Sequence, residues 1–435
     1  MTDTKFRYTT VMAVVIANMI GTGVFTSLGF QLIDIQSGFA ILLLWALGGL
    51  IAICGSMTYA ELGAALPRSG GEYNFLSKIY HPCAGFISGW ISTTIGFAAP
   101  TALAAITFAA YLMSIFPDID NNWIRQLIAS ALIIILAIIH SSSRKNSGGL
   151  QVTFTLIKIG IIVLFCVSAI FVANNTQPIS FAPSSKDIDL IIDGSFAISL
   201  IYVSYAYTGW NAATYLSSEL ENPQKTLPWV LIFGTMIVAA LYVSLNYVFL
   251  RVTPIEDMQG KLEIGYIAAQ SAFGSVAANL TGAALALLLI STVSAMTLAG
   301  PRVLQVIGED FKILKILASS NKDKIPTNAI YIQSLIAVIF ILTSSFESIL
   351  IFAGFTLALN SFATVLAIFV LRKKQPQIKR PYKTPVFPLP PLIYLVLTGW
   401  TLYFVIINRP IEVLFSLMII VSGGILYFIS SKQNT

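Results

Sequence analysis

Long apolar runs separated by short polar stretches dominate the chain. A hydrocarbon core about 30 Å thick needs about 20 predominantly apolar residues for a helix to cross it. Twelve runs qualify, over 8–30, 37–60, 84–115, 124–140, 150–173, 191–218, 228–250, 268–300, 328–345, 347–371, 389–408 and 411–430. The fourth and ninth are the shortest. The pattern predicts an all-α integral membrane protein with twelve transmembrane helices. The first run follows Lys5 and Arg7, as a signal peptide would. It has no clear small-residue cleavage site and eleven runs follow it, so it reads as a mature helix.

Charge sets the orientation. With twelve spans both termini lie on one side of the membrane. Of the 25 Lys and Arg residues, 19 fall on that side, five fall opposite, and one, Lys158, lies inside a span. Basic residues favour cytoplasmic loops, so both termini are expected in the cytoplasm of a cell membrane. Composition agrees with burial in lipid: 56% of residues are hydrophobic and 10% charged, against about 25% charged in soluble domains. The net charge of +6 does not point to nucleic acid, because the basic residues sit in short loops and form no stripe. Cys54, Cys83 and Cys166 are too few for a disulfide scaffold. His81 and His140 fall near cytoplasmic helix ends and are expected to be solvated, with no partners for a metal. Glu61, Glu219 and Glu221 lie at helix ends and are expected to make gate or loop contacts rather than bind substrate. No cofactor is expected.

Two spans are interrupted at mid-length. Span 1 carries Ile20-Gly21-Thr22-Gly23-Val24-Phe25, and each Gly weakens a helix by about 1 kcal/mol relative to Ala. Backbone freed from helical bonding at that depth must line a cavity or be buried in protein. A half-helix starting there offers amides to an anion such as a carboxylate. Close packing of two helices would use the same small residues, and span 1 alone leaves both readings open. Span 6 carries Tyr205-Ala206-Tyr207-Thr208-Gly209-Trp210-Asn211, again at mid-span. Spans 1 and 6 open two successive groups of five. Corresponding discontinuous helices with substrate held between them characterise transporters built from inverted repeats. The expected organisation is a first repeat over 1–173, a second over 191–371, and two further helices with a tail over 389–435.

The sequence resembles the amino acid–polyamine–organocation permeases over nearly its whole length. The motifs are Ile20 to Phe25, Glu61 to Tyr73 after span 2, Gly209-Trp210-Asn211 with Ser218-Glu219-Leu220-Glu221-Asn222-Pro223, Leu298 to Arg302, and Arg380 to Pro385. The span 6 pieces look closest to the L-type, light-chain-like branch and its prokaryotic relatives. Gly308-Glu309-Asp310-Phe311 departs from the family pattern, which bears on gating. The resemblance implies a LeuT-like fold, with discontinuous helices 1 and 6 and a 5+5 inverted repeat.

The resemblance also implies roles. The substrate carboxylate meets amides of Gly21, Thr22 and Gly23. The amino group meets carbonyls of Met19, Tyr205, Ala206 and Thr208 beside Gly209. Tyr205 lids the site, with Tyr207 and Trp210 as further gate candidates or core residues, and Met296 shapes the side-chain pocket. Lys158 lies among apolar neighbours, where a charge is rare and usually functional, although a lysine near a helix end can snorkel. The family's sodium-independent members have a lysine at the place of a sodium ion. That places Lys158 against helix 1 carbonyls near Ala17 and helix 8 hydroxyls such as Ser291, Thr292 or Ser294. Proton symport and amino acid exchange both remain open.

Apart from Lys158, no charged side chain lies deep in spans 1, 3, 6, 8 or 10, and span 3 offers Ser92, Thr93, Thr94, Ala98, Ala99 and Thr101. A charged substrate side chain would want a buried partner, so a neutral L-amino acid is expected. Cationic amino acids or polyamines are the alternative on the same fold. No Asp or His cluster suggests a membrane enzyme, and no repeated ring suggests a channel. The outer loop Phe116 to Asn122 has no Cys, so no disulfide-linked partner subunit is expected.

Overall fold

The computed structural model describes residues 8–142, 147–173, 176–322 and 325–432. Regular structure among them is helical throughout. Ten helices are long and apolar enough to cross a membrane, or eleven if one bent pair is a single span. The chain is therefore a multi-pass membrane protein. The expected ninth span is the helix Thr327–Thr343, which is apolar but has only 17 residues.

In chain order the helices are α1 (Tyr8–Met19), α2 (Gly23–Asp34), α3 (Gly38–Ala65), α4 (Glu72–Ile79), α5 (Pro82–Ile91), α6 (Ala98–Met113), α7 (Asn122–Ser142), α8 (Ser147–Val172), α9 (Ser185–Ile192) and α10 (Gly194–Ala206). There follow α11 (Pro223–Val252), α12 (Ile255–Met258), α13 (Ile264–Phe273), α14 (Ser275–Asp310), α15 (Lys315–Ala318), α16 (Thr327–Thr343), α17 (Phe346–Lys374), α18 (Leu389–Asn408) and α19 (Pro410–Lys432). A π turn over Ser92–Gly96 joins α5 to α6 within one membrane-length rod.

Local chemistry fixes several helix starts. The Ser37 hydroxyl accepts from the Ala40 amide at the start of α3, and the Asp193 carboxylate accepts from the Ser195 amide at the start of α10. Such caps satisfy donors that a helix start leaves free. Two expected spans differ in outline. The sixth, read as 191–218, is bent by 72° between α9 and α10 and leaves α-helix at Ala206. The eighth, read from 268, is two helices, because the chain turns at Gly274 between α13 and α14.

The helices gather around α3, which packs extensively on α11, and α14, which packs on α6. Trp45, Tyr207 and Tyr242 meet at the centre with ring centroids 5.0–6.2 Å apart. Large apolar side chains on the outer faces of α7, α8 and α19, such as Ile138, Phe171 and Phe428, remain exposed, which suits contact with lipid.

On the face where α1 starts, the fully buried Glu61 ties distant parts of the chain together. Its carboxylate receives Arg372 Nε at 2.9 Å and Nη2 at 2.7 Å, and the Thr384 amide at 2.7 Å. Arg380 stands 3.9 Å away. The Arg372 guanidinium lies 3.5 Å from the centroid of the Phe387 ring. These contacts bind α3, α17 and the segment before α18.

Candidate substrate-binding site

The first rod is broken between α1 and α2. The Gly21 amide turns back to the Met19 carbonyl at 2.7 Å, and α2 begins at Gly23. The first amides of a helix have no carbonyl one turn below them; in α2 the Phe25 amide already donates to the Thr22 carbonyl at 3.0 Å. The second break follows Ala206. The Tyr205 carbonyl accepts both the amide and the hydroxyl of Thr208, at 2.9 and 2.7 Å. Beyond Gly209 the chain continues as a 3-10 helix over Ala212–Glu219.

The two breaks touch. A Cβ on Gly23 would lie 2.5 Å from Cα and Cβ of Ala206. Gly209 has φ +98°, and a Cβ there would lie 2.8 Å from the Asn18 carbonyl. Glycine is thus required at both crossings, by close approach at Gly23 and by close approach and backbone angle at Gly209. Gly21 differs, since its nearest neighbours would be 3.9 Å from an added Cβ.

One cavity of about 390 Å³ runs along both breaks. Met19, Gly21, Thr22, Gly23, Tyr205, Ala206, Thr208, Gly209, Trp210 and Met296 all line it. The lining continues past Glu72 and Tyr73 to Arg302 and Val306, which are exposed on the face where α1 starts. The opposite end is closed. The Tyr111 hydroxyl donates to the Phe25 carbonyl at 3.1 Å and accepts from the Gly265 amide at 2.9 Å. Further out, Phe30 stacks on Phe346, and Tyr202 and Arg409 both donate to Glu347 at 2.7 Å.

Lys158 is buried beside the first break. Its ammonium donates to the Ile20 carbonyl at 3.1 Å and to Thr292 Oγ1 at 2.8 Å. No carboxylate lies within ion-pair distance of it among the described residues. The carbonyl engaged is that of Ile20, three residues beyond Ala17, because α1 stays helical through Met19. Ser291 is buried one position before Thr292. Ser294 turns away and meets His140 Nε2 at 2.8 Å. Two residues along a helix span about 200°, so Thr292 and Ser294 cannot both face one ammonium. His140 is accordingly half-buried, where the sequence suggested a solvated side chain.

The same geometry separates Tyr205 from Tyr207. Tyr205 lines the cavity, whereas the Tyr207 hydroxyl donates to the Trp45 carbonyl at 3.1 Å in the core. Trp210 does both, lining the cavity and standing edge-on to Tyr59 at 4.6 Å.

Sequence reasoning passed over two residues. Glu72 is buried in the cavity wall, where its carboxylate accepts Tyr59 Oη at 3.0 Å, Asn211 Nδ2 at 2.5 Å, and the Tyr215 hydroxyl. Its position at the start of α4, just after the turn at Gly70 and Gly71, hid it. Tyr242 of α11 contacts both breaks, and nothing in the local pattern of α11 marks it out.

The amino acid permease family model matches residues 6–429. The chain belongs to the amino acid permease family. This permease is 26% identical to the b(0,+)-type amino acid transporter 1 of Mus musculus, over 96% of its length and 86% of the relative's. It is 25% identical to the serine/threonine exchanger SteT of Bacillus subtilis, over 97% and 96% of the two chains. It is 26% identical to the large neutral amino acids transporter small subunit 2 of Oryctolagus cuniculus, over 96% and 78%.

Proposed function

We propose that this permease carries neutral L-amino acids across the cell membrane by alternating access and without sodium. The observation that carries the reading is the shared cavity at two touching helix breaks, with a lysine ammonium fastened behind one of them. Amides at Thr22 and Gly23 receive the substrate carboxylate, as a helix start suits an anion, whereas the Gly21 amide already donates to the Met19 carbonyl. The ammonium goes to the Ala206 carbonyl, with Thr208 and Gly209 alongside. The Tyr205 and Met19 carbonyls drop out, because a carbonyl has two lone pairs and each already accepts two donors, from Thr208 in the first case and from Gly21 and Tyr242 in the second. The Tyr205 side chain lids the site, and Met296 bounds the side-chain pocket.

With Thr327–Thr343 taken as the ninth span and the α9–α10 pair as the sixth, the chain has twelve spans. They form inverted repeats over 1–173 and 191–371, with 389–435 appended. Both termini are cytoplasmic, so the cavity faces the cytoplasm. Lys158 stands where a sodium ion would otherwise brace span 1 against span 8. Neutral selectivity is supported by the uncharged lining between the breaks, including Thr22, Ser92, Phe97, Met296 and Asn360. The names of the serine/threonine exchanger and the large neutral amino acid transporter agree with it. Glu72 lines the same cavity and favours a second reading, in which a cationic side chain is accepted at its inner end. No Cys lies in the segment between α6 and α7, and the permease works without a disulfide-linked partner.

The test is flux in proteoliposomes with an imposed pH gradient, comparing the wild type with Lys158→Ala. Uptake driven by the gradient and lost in the variant supports proton symport. Uptake seen only with amino acid inside supports exchange. Wild-type rates in Lys158→Ala would remove the role given to this side chain. Competition by arginine or glutamate, but not by alanine, serine or leucine, would remove the neutral substrate.

A further inference from the structure

From the last turn of α17 to the start of α18 the chain carries Arg372, Lys373, Lys374, Lys379, Arg380 and Lys383. Both arginines turn to the buried Glu61. The four lysines differ: all are exposed, and none makes an ion pair among the described residues. Burial alternates along this segment. Ile378, Arg380, Tyr382 and Thr384 turn inward, and Lys379, Pro381 and Lys383 turn outward, which is the two-residue period of an extended chain. The inward side is fastened. Ile378, Tyr382 and Phe387 pack on the core, and Thr384 donates its amide to Glu61 at 2.7 Å and its hydroxyl to the Met57 carbonyl at 3.3 Å. The lysines are therefore held out by a strip anchored on α3. Directly after them the exposed surface becomes apolar. Val386 adopts φ +49°, a backbone angle rare for a β-branched residue, and its side chain is 77% exposed. Leu389, Leu392 and Val396 of α18 continue from it at helical spacing and are exposed too. In a chain that crosses the membrane, such a stripe faces hydrocarbon. Four uncompensated ammonium groups thus precede the start of a lipid-facing stripe.

We propose that Lys373, Lys374, Lys379 and Lys383 form a headgroup site for anionic phospholipid, with the acyl chains lying along Val386, Leu389, Leu392 and Val396. A basic cluster beside a membrane-spanning helix attracts anionic headgroups, whereas a zwitterionic headgroup brings no net charge to it. The anchored strip keeps the ammonium groups together before the lipid arrives, which lowers the ordering cost of binding. The site does not depend on which solute the permease carries.

The full chain is purified in detergent and titrated with dioleoyl phosphatidylglycerol or dioleoyl phosphatidylcholine, and bound lipid is counted by native mass spectrometry. Phosphatidylglycerol is expected to bind about tenfold more tightly or better, with the preference shrinking as salt rises. Lys373→Gln, Lys374→Gln, Lys379→Gln and Lys383→Gln together are expected to lower its affinity about tenfold or more and to leave phosphatidylcholine unchanged. The same four positions changed to Arg are expected to keep the preference. Lys78→Gln, Lys225→Gln, Lys315→Gln and Lys322→Gln together remove the same charge from four exposed positions elsewhere and are expected to bind as the wild type does. Should the first combination not fold, Lys379→Gln with Lys383→Gln decides, with an expected loss of about threefold or more. Equal affinity for the two lipids overturns the proposal, as does equal loss in the two combinations, which would show an effect of net charge alone. Displacement of phosphatidylglycerol by inorganic phosphate at the lipid's own concentration would mark a site for free anions and overturns it as well.

Discussion

Gly23→Ala tests the contact between the two breaks most directly. The new Cβ would sit 2.5 Å from both Cα and Cβ of Ala206, against 3.4 Å for ordinary van der Waals contact. The helices must therefore part by about 0.9 Å, which is 3.4 less 2.5. Neither obstacle can rotate away, since one is backbone and the other is fixed to it. Overpacking of this kind costs about 1–3 kcal/mol. Much of the cost falls on the geometry that presents the α2 amides. Thermal unfolding in detergent should shift downward, and uptake in proteoliposomes should fall about tenfold or more for a cost near 1.4 kcal/mol. Gly21→Ala is the matched control for stability, because its added carbon would meet nothing closer than 3.9 Å. Adding Ala206→Gly to Gly23→Ala removes the Cβ obstacle and leaves the Cα, so rescue should be partial. Wild-type stability and uptake in Gly23→Ala, or equal loss of stability in Gly21→Ala, would show that the breaks do not touch as described.

Two further substitutions probe the buried carboxylates. Arg372→Met strips Glu61 of its bidentate partner and leaves Arg380 at 3.9 Å and one amide; an uncompensated buried charge costs about 3–5 kcal/mol. Thermal stability should drop sharply and partly recover when Glu61→Gln is added, and no drop would refute the tie. Glu72→Gln replaces an acceptor-only group, which faces three donors, by one that presents an NH2. One donor is then left unsatisfied at about 1–3 kcal/mol, so uptake should fall severalfold, and a wild-type rate would exclude Glu72 from shaping the cavity wall.

The two breaks were legible because polar and glycine residues at mid-span contradict the apolar run around them. Lys158 was legible for the same reason, as a charge where the rest of the helix has none. Its Thr292 partner was one of three hydroxyls in reach, and helix periodicity separates it from Ser294 only once the direction of one of them is known. Tyr205 and Tyr207 pose the same problem, since two positions on a helix cannot both face the substrate. Glu72 and Tyr242 act through contacts between residues 139 and 223 positions apart, respectively to Asn211 and Met19. Such contacts are made by folding and leave no local periodicity. The bend at α9–α10 and the separate α13 were missed because apolar runs do not record where a rod changes direction.

The tie at Glu61 has a consequence for how the protein is made. Its guanidinium partner is encoded 311 residues later. During synthesis the carboxylate therefore enters the bilayer long before its counter-charge has left the ribosome. The second rod carries that acid without its partner until the tenth arrives to neutralise it. A nascent chain halted ahead of Arg372 would carry this acid without its bidentate counter-charge, and its second and tenth rods would lack the tie that joins them.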